Sequence, residues 1–262
     1  MRSLKSEASV ADDVRGGYTS CMPLVVGLHA YGTWERMAVD RISRIATPRH
    51  NHNVSNMKVN GTPNIYVVGA QCTGKTTIVK NLEDYFSKTG NLPPVITEVA
   101  RTVLATHDFT AADVTNPSRS LELQRLILHA QLNAERTALA ESPWFISDRS
   151  GADPIVYAMR YVGESGAASL VESNEWTGLR LRMQASLIIV CEAAEAAGTW
   201  IVDDGVRLIP SDVDDWVEFH RQFCAFLTEQ DIDHVVLPVA IGSHQDRVKF
   251  VIERWEGMGA GP

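Results

Sequence analysis

Short apolar runs alternate with helical patterns along the chain from residue 64 onward. Five of these runs have the length and composition of β-strands, and they span residues 64–68, 94–97, 144–147, 187–191 and 234–237. The fourth run is apolar at every position, as a strand that is buried on both faces should be. The alternation of strands and helices predicts a parallel sheet that is covered by helices on both faces.

Helical periodicity fills several of the connections between these strands. One helix follows the first strand and ends at Gly90, and a long helix is predicted over residues 120–141. Ser211 is expected to cap a later helix, and Ser243 with Asp246 opens the last one. The first of these helices has five apolar residues on one face: Ile78, Val79, Leu82, Tyr85 and Phe86. The Ser211 helix has an apolar stripe of four: Trp216, Phe219, Phe223 and Leu227.

Parallel strands with right-handed crossovers leave one economical topology for this order of elements. It is a three-layer α/β sandwich whose five-stranded parallel sheet has the order 2-3-1-4-5. The predicted domain covers residues 61–257.

Residues 1–60 differ from the rest of the chain in pattern and in charge. They lack sustained apolar periodicity and carry eight Lys or Arg against five Asp or Glu, a net charge of +3. The whole chain carries −8, so the remainder carries −11. This composition predicts a poorly ordered N-terminal extension. A mitochondrial presequence is the alternative, although three acids interrupt its basic stretch: Glu7, Asp12 and Asp13.

The overall composition excludes several classes of protein. A net charge of −8 and a pI near 5.5 argue against a broad basic surface for nucleic acid. The four cysteines form no closely spaced pair, which argues against a zinc site or a disulfide framework. The apolar run at residues 22–28 is too short to cross a membrane. We therefore expect a cytoplasmic protein without a nucleic-acid or membrane partner.

A glycine-rich loop follows the first predicted strand. Residues 69–76 match the pattern G-x-x-x-x-G-K-[ST] at every fixed position. Its glycines allow backbone N–H groups and the N-terminus of the next helix to point at the phosphates of a nucleotide. The loop therefore predicts a site for ATP with Mg²⁺. The expected nucleotide-binding residues are Gly69, Ala70, Gln71, Cys72, Thr73, Gly74, Lys75, Thr76 and Thr77.

Three side chains of this loop have separate expected roles. Lys75 is expected to be exposed in the loop, where it adds a positive charge and is a candidate catalytic residue. Thr76 offers its hydroxyl to Mg²⁺. Thr77 is a candidate contact for the α-phosphate.

The third strand ends in an acid followed by an arginine, at the edge of the sheet where the phosphates would lie. Asp148 is a candidate second ligand for Mg²⁺. Arg149 is a candidate catalytic residue, because it can stabilise the charge on a transferred phosphoryl group. Without a phosphate loop nearby, the same two residues would be interpreted as a surface ion pair.

The second strand leads into Glu98 and, one helical turn later, Arg101. In a sheet of order 2-3-1-4-5, Glu98 lies at the carboxyl edge beside the loop, where a carboxylate can accept a proton from an attacking hydroxyl. Glu98 is therefore a candidate catalytic and substrate-binding residue, and Arg101 a candidate substrate-binding residue. The alternatives are a helix N-terminal acid for Glu98 and a simple pair with Glu98 for Arg101.

A charged turn with a glycine follows the fourth strand at residues 200–207. Such a segment can close over ATP and deliver an arginine, so Arg207 is a further candidate catalytic residue. Asp203 and Asp204 have the alternative interpretation of a solvated turn.

The chain resembles the P-loop kinase-like domain of bifunctional NadR proteins, whose characterised members phosphorylate nicotinamide riboside. The resemblance covers residues 64 to about 240 and rests on the 69–77 loop, on Glu98-x-x-Arg101 and on residues 200–207 with the helix after them. It implies ATP as donor, Mg²⁺, Glu98 and Arg101 near the acceptor, and Arg207 in a lid.

Other features of the chain set the limits of this resemblance. Residues 148–150, Asp-Arg-Ser, look instead like the acid-Arg-Ser element of deoxynucleoside and thymidylate kinases, which has the same magnesium and phosphoryl roles. The chain has no His-x-Gly-His signature of a nucleotidyltransferase, and residues 106–119 match no riboside pocket.

Together these patterns favour an ATP-dependent kinase that transfers the γ-phosphoryl group to a hydroxyl of a small molecule of the nucleoside or riboside class. The alternative is a nucleotide-dependent switch with slow hydrolysis and a protein partner. No Asn-Lys-x-Asp tetrapeptide for guanine occurs in the chain, which favours ATP over GTP.

Overall fold

The computed structural model describes residues 61–195 and 212–259. Five strands form one sheet: β1 (Ile65–Val68), β2 (Val95–Ile96), β3 (Ile146–Asp148), β4 (Leu187–Cys191) and β5 (Val235–Leu237). Eight α-helices occur in these ranges: α1 (Lys75–Thr89), α2 (Val99–Thr106), α3 (Pro117–Glu141), α4 (Ala152–Tyr161), α5 (Glu164–Val171), α6 (Asn174–Gln184), α7 (Val213–Glu229) and α8 (His244–Gly257). A short 3₁₀ helix, Ala111–Thr115, precedes α3.

The strand order is β2-β3-β1-β4-β5, and all four pairings are parallel. The predicted fold class and strand order are therefore confirmed. β1 lies at the centre, where Val67 is in register with Asp148 on one side and with Ile189 on the other. This arrangement brings the carboxyl ends of β1 and β3 together at one edge of the sheet.

Alternate residues of β1 face the two helical layers, as the period of a strand requires. Ile65 and Val67 pack in a buried cluster with residues of α1 and α8. Tyr66 and Val68 pack in a second cluster with residues of α3, α4, α6 and α7. All four side chains are fully buried, so the central strand is covered on both faces.

A third, smaller cluster lies between α2, the 3₁₀ helix and α3. It consists of five buried residues: Val103, Phe109, Val114, Leu123 and Ile127. Two of its members, Phe109 and Val114, belong to residues 106–119, the segment that matches no riboside pocket. The cluster forms an apolar wall beside the carboxyl edge of β2.

The helix ends agree with the sequence prediction at two of the three positions. Gly90 closes α1 with φ 74°, and the Ser243 hydroxyl accepts a hydrogen bond from the backbone N–H of Asp246 at the start of α8. The predicted cap at Ser211 is wrong, because α7 begins at Val213 and the Asp212 carboxylate caps it. An Asp side chain accepts the same backbone N–H bond as a Ser hydroxyl, so the two residue types compete for this position.

Three helices between residues 150 and 186 were not predicted from the pattern. α4 illustrates the reason, because six of its ten residues are buried and the other four are only partly exposed, so no fully exposed residue marks its period. Among the described residues, no helix combines the length and the apolar character that crossing a bilayer requires.

Candidate functional site

The loop between β1 and α1 has the backbone of a phosphate-binding nest. Gly69, Cys72 and Gly74 have φ values of 120°, 59° and 81°. A Cβ atom on Gly69 would lie 2.9 Å from the backbone oxygen of Cys191, so this position requires glycine for space as well as for conformation. Gly74 immediately precedes α1, which directs the N-terminus of that helix into the loop.

Lys75 is buried, contrary to the expectation of an exposed side chain, with 5% of its surface accessible. Its Nζ donates a hydrogen bond to the backbone oxygen of Ala70, which folds the side chain back over its own loop. Burial, with a smaller contribution from the Arg149 charge, lowers the pKa of Lys75 to about 8. Most of the amine is therefore still protonated at pH 7, and an anion in the loop would raise its pKa again.

Thr76 and Asp148 lie together, as predicted. The Thr76 Oγ1 donates a hydrogen bond of 2.6 Å to Asp148 Oδ2. Two oxygen ligands beside a phosphate site suit Mg²⁺, which takes few protein ligands and completes its octahedron with phosphate and water. Within the described ranges no group of three His, Cys, Asp or Glu could hold a metal by itself, so a cation here would rely on the nucleotide.

Arg149 connects the ends of β2 and β3. Its Nε donates to Glu98 Oε1 at 2.6 Å, and its Nη1 donates to Asp153 Oδ1 at 3.1 Å. Arg101 Nε donates to the other Glu98 oxygen at 2.8 Å. Glu98 is thus held between two guanidinium groups. The alternative interpretation of Arg101, a simple pair with Glu98, therefore describes what the structure shows.

The charges around Glu98 determine its protonation. Burial alone would raise the pKa of Glu98, but the Arg149 charge and the Arg101 hydrogen bond outweigh it and lower that pKa to about 2. The side chain is therefore a carboxylate throughout the neutral range.

Three clefts follow one another along this edge of the sheet. The middle one is the phosphate cleft, which runs over the loop and is lined by Lys75, Thr76, Glu98, Asp148 and Arg149 among others. All nine residues that line it are candidates from the sequence, because residues 72–77 of the loop complete its wall. The donor-side cleft shares Cys72, Thr73, Gly74 and Thr77 with the phosphate cleft. On the other side, an inner cavity shares Glu98 and Arg149 with it.

The inner cavity has an empty volume of about 760 Å³, which includes space that is open to solvent. Its walls are mostly apolar, from α2, α3 and α4. Because it shares no lining residue with the donor-side cleft, the phosphate cleft lies between the two.

Sequence reasoning missed several residues of these clefts. Asp153 and Tyr157 of α4 line the inner cavity, and His244 and Arg247 of α8 line the donor-side cleft. Asp153 had a detectable signal, because it follows Arg149 by four residues and could pair with it at the start of a helix. His244 and Arg247 had no such signal in the sequence, since only the strand order brings the end of β5 beside the loop.

Arg207, the candidate lid arginine, lies outside the described residues, as do Asp203 and Asp204. The helix that follows them is firmly attached to the site. Trp216 Nε1 donates a hydrogen bond of 2.7 Å to the backbone oxygen of Gln71, and Arg160 of α4 forms an ion pair with Asp215. α7 therefore contacts the phosphate loop directly.

A family model described as an AAA domain matches residues 64–247. No curated protein matches the chain. Solved structures share its fold at low identity. A NadR protein in complex with NR is 19% identical with a TM-score of 0.57, over 78% of this chain and 54% of that one.

Two other solved structures give the same result. A NadR protein in complex with NAD and AMP-PNP is 17% identical with a TM-score of 0.56, over 77% of this chain and 51% of that one. A deoxyadenosine kinase from M. mycoides with bound dATP is 16% identical with a TM-score of 0.54, over 74% of this chain and 99% of that one. The chain thus spans about half the length of the NadR proteins, and these likenesses show a shared P-loop kinase fold.

Proposed function

Because this chain belongs to the AAA domain family over residues 64–247, we propose that it uses its phosphate loop as a Mg-ATP-dependent small-molecule kinase. It transfers the γ-phosphoryl group of ATP to a hydroxyl of an acceptor of the nucleoside or riboside class. The similar fold of NadR and deoxyadenosine kinase structures supports the class of reaction.

The observation that carries the proposal is the shared boundary between the phosphate cleft and the inner cavity. Glu98 and Arg149 line both spaces. A kinase needs an acceptor site that opens onto the end of the triphosphate, so that the hydroxyl meets the γ-phosphorus. A nucleotide switch needs no second cavity there.

The donor is held by the residues of the loop. Backbone N–H groups of residues 69–77 and the Lys75 ammonium bind the phosphates. Thr76 and Asp148 would hold Mg²⁺, which when bound neutralises part of the phosphate charge. The donor-side cleft, lined by His244 and Arg247, receives the nucleoside half of ATP.

The transfer is assigned to the residues at the shared boundary. The acceptor oxygen forms a bond to the γ-phosphorus while the bond from that phosphorus to the β-bridging oxygen breaks and ADP leaves. Glu98 takes the hydroxyl proton, and Arg149 faces the charge on the transferred group. Arg101 orients the acceptor through Glu98, and Arg207 is proposed as a lid arginine.

A phosphotransfer screen tests the proposal directly. Purified protein with Mg-ATP is incubated with nucleosides, ribosides and nucleoside monophosphates, and phosphorylated products are detected by mass spectrometry. We expect at least one acceptor to be phosphorylated and Lys75→Ala to abolish the product. ATP hydrolysis that no acceptor stimulates, without any phosphorylated product, would favour the switch.

A further inference from the structure

One hydrogen bond joins the phosphate loop to a helix from a distant part of the chain. Trp216, in the first turn of α7, donates from its indole Nε1 to the backbone oxygen of Gln71 at 2.7 Å. The Trp216 side chain is fully buried, and Gln71 is buried as well. The bond is therefore shielded from water, and its loss would leave a carbonyl oxygen buried without this donor.

The side chain of Gln71 is held from the same direction as its backbone. Its Oε1 accepts a hydrogen bond of 3.3 Å from the Tyr157 hydroxyl of α4. The Tyr157 ring packs edge-on against Phe219 of α7, with 5.0 Å between the ring centroids. This packing and the ion pair described above fix α4 and α7 to each other. The indole of Trp216 is therefore a rigidly placed donor.

The next residue of the loop has a backbone conformation that its own side chain disfavours. Cys72 has φ 59°, in the left-handed region, where a Cβ atom comes too close to the following carbonyl oxygen. Rotation of the peptide between Gln71 and Cys72 would change ψ of the first residue and φ of the second together, as between type I and type II turns. Such a rotation would relieve Cys72, so a restraint on this peptide stabilises the conformation that the loop has.

The Trp216 hydrogen bond acts on that peptide. In a planar trans peptide the carbonyl oxygen and the following N–H point in opposite directions. A bond that holds the Gln71 oxygen toward α7 therefore directs the Cys72 N–H away from α7. Cys72 lines the phosphate cleft, whereas Trp216 lines none of the three clefts. Any effect of Trp216 on a phosphate must therefore pass through the loop.

We propose that Trp216 is a positioning residue for nucleotide binding, because its indole N–H fixes the peptide between Gln71 and Cys72 so that the Cys72 N–H faces a phosphate. Without this bond the peptide turns over in part of the population, and a carbonyl oxygen replaces the N–H at the site of the anion. Nucleotide then binds only the remaining fraction, so the affinity falls accordingly. This inference rests on the proposed function only for the binding of a nucleotide in the loop.

A second indole provides a matched control at the other end of β1. Trp255 of α8 is buried and donates from its Nε1 to the backbone oxygen of Pro63, also at 2.7 Å. Pro63 lies before β1 and Gln71 lies after it. Loss of either bond removes an indole donor from a backbone oxygen beside the central strand, but only the Trp216 bond acts on the phosphate loop.

The test is calorimetry of AMP-PNP binding to the full chain at saturating Mg²⁺. Trp216→Phe keeps an aromatic ring and removes the N–H, and it should raise the dissociation constant by about 5- to 30-fold. Trp255→Phe should stay within about twofold of the unmodified chain. Thermal unfolding without ligand should show a lower melting temperature for both variants, so a general loss of stability would not explain the difference between them.

Cys72→Gly separates the geometry of the loop from the packing of the tryptophan. Glycine adopts a positive φ without the steric cost of a Cβ atom, so the peptide no longer gains by turning over. Trp216→Phe should therefore weaken AMP-PNP binding by less than about threefold when it is compared with Cys72→Gly alone. A tryptophan that only fills the core would lose the same factor in both backgrounds.

Hydrogen exchange of the indole N–H groups, measured by NMR, tests the inference without a substitution that could disturb folding. If the Trp216 bond and the nucleotide favour the same orientation of the peptide, each must stabilise the other. AMP-PNP should therefore slow exchange at Trp216 in the unmodified chain and leave Trp255 unchanged. Absence of any slowing at Trp216, or equal slowing at both indoles, would contradict the coupling.

Three binding results would overturn the inference: unchanged affinity in Trp216→Phe, an equal loss in Trp255→Phe, or an equal loss with and without Cys72→Gly. Failure of the proposed function has a different signature. An unmodified chain that binds no AMP-PNP would overturn both. Trp216-dependent binding of AMP-PNP by a chain that phosphorylates no acceptor would leave the inference standing and remove the kinase.

Discussion

The Thr76 hydroxyl lies 2.6 Å from the Asp148 carboxylate and donates a hydrogen bond to it. This contact joins the first turn of α1 to the last residue of β3. The hydrogen bond holds the two proposed Mg²⁺ ligands at one place, so the proposed binding of Mg²⁺ with the nucleotide would need little reorganisation.

Removing either oxygen should therefore weaken magnesium-dependent binding. We expect Thr76→Val and Asp148→Asn to raise the dissociation constant of Mg-ATP by about 10- to 100-fold. Calorimetry with Mg²⁺ and then with EDTA checks this, because magnesium-free binding should change little. Thr89→Val, at the far end of α1, is the control. Equal losses with and without Mg²⁺ would show that the pair stabilises the loop instead.

Lys75 predicts a pH dependence of nucleotide binding. Burial lowers its pKa to about 8 in the free protein, whereas bound phosphate favours the charged form. ATP affinity should therefore fall as the pH rises above about 8, by up to tenfold per pH unit. Lys75→Arg stays charged and should show no such fall. Calorimetry from pH 7 to 10 measures both, and parallel curves for the two proteins would contradict the assignment.

The same shift has a consequence for the free energy of unfolding. Between about pH 8 and the ordinary value of 10.5, the unfolded chain holds the Lys75 proton more tightly than the folded one. The contribution of Lys75 to stability therefore increases with pH across this window.

The sheet was predictable because its strands are marked by composition. β4 is an unbroken apolar run, and its predicted bounds, residues 187–191, agree with the structure. The other strands differ by one or two residues at their ends, where the hydrogen bonds of neighbouring strands decide the limit and composition does not. The phosphate loop was predictable for a different reason, because its chemistry requires fixed residues at fixed spacing.

The inner cavity could not be predicted in the same way. Gln71 and Gln124 are 53 positions apart in the sequence, and only the packing of α3 beside the loop brings them to one cavity. Glutamine at a helix face usually indicates solvent exposure, so Gln124 and Gln131 gave no signal of burial. The burial of Lys75 was missed because it depends on a bond within its own loop.

Alanine substitutions at Gly69 and Gly90 should separate the cost of a steric clash from the cost of an unfavourable backbone conformation. A methyl group at Gly69 would meet the Cys191 backbone oxygen at 2.9 Å and would also disfavour φ 120°. Gly90 has φ 74° with no atom nearby, so it carries the conformational cost alone. We expect Gly90→Ala to cost about 1 kcal/mol and Gly69→Ala about 2 to 3 kcal/mol. Urea unfolding measures the free energy of unfolding of both variants. Equal losses would show that β4 moves away from the added methyl group at no cost in free energy.

Glu98 lines both the phosphate cleft and the inner cavity, and its low pKa, about 2, keeps it ionised at every pH of a kinase assay. Its carboxylate contributes stability above the ordinary pKa of 4.5, and that contribution is lost as the pH falls toward 2. An acid limb of kcat/KM between pH 5 and 7 should therefore not arise from Glu98. In this state it accepts a proton weakly, so acceptor binding must loosen its bonds to Arg149 or Arg101 before the transfer.

Glu98→Gln tests this role because it preserves shape and one hydrogen-bond acceptor while it removes the charge. We expect Mg-ATP affinity to stay within a few-fold, since the hydrogen bonds of Glu98 go to Arg101 and Arg149. Phosphotransfer should fall by about 10²- to 10⁴-fold, the usual contribution of a general base. Glu122→Gln, an exposed change on α3, is the control. The dissociation constant of Mg-ATP and the rate constant of phosphotransfer are both measured at saturating and at limiting Mg²⁺. Equal losses of ATP affinity and turnover would place Glu98 in the magnesium site, because only a metal ligand would reduce the two together and respond to the Mg²⁺ concentration.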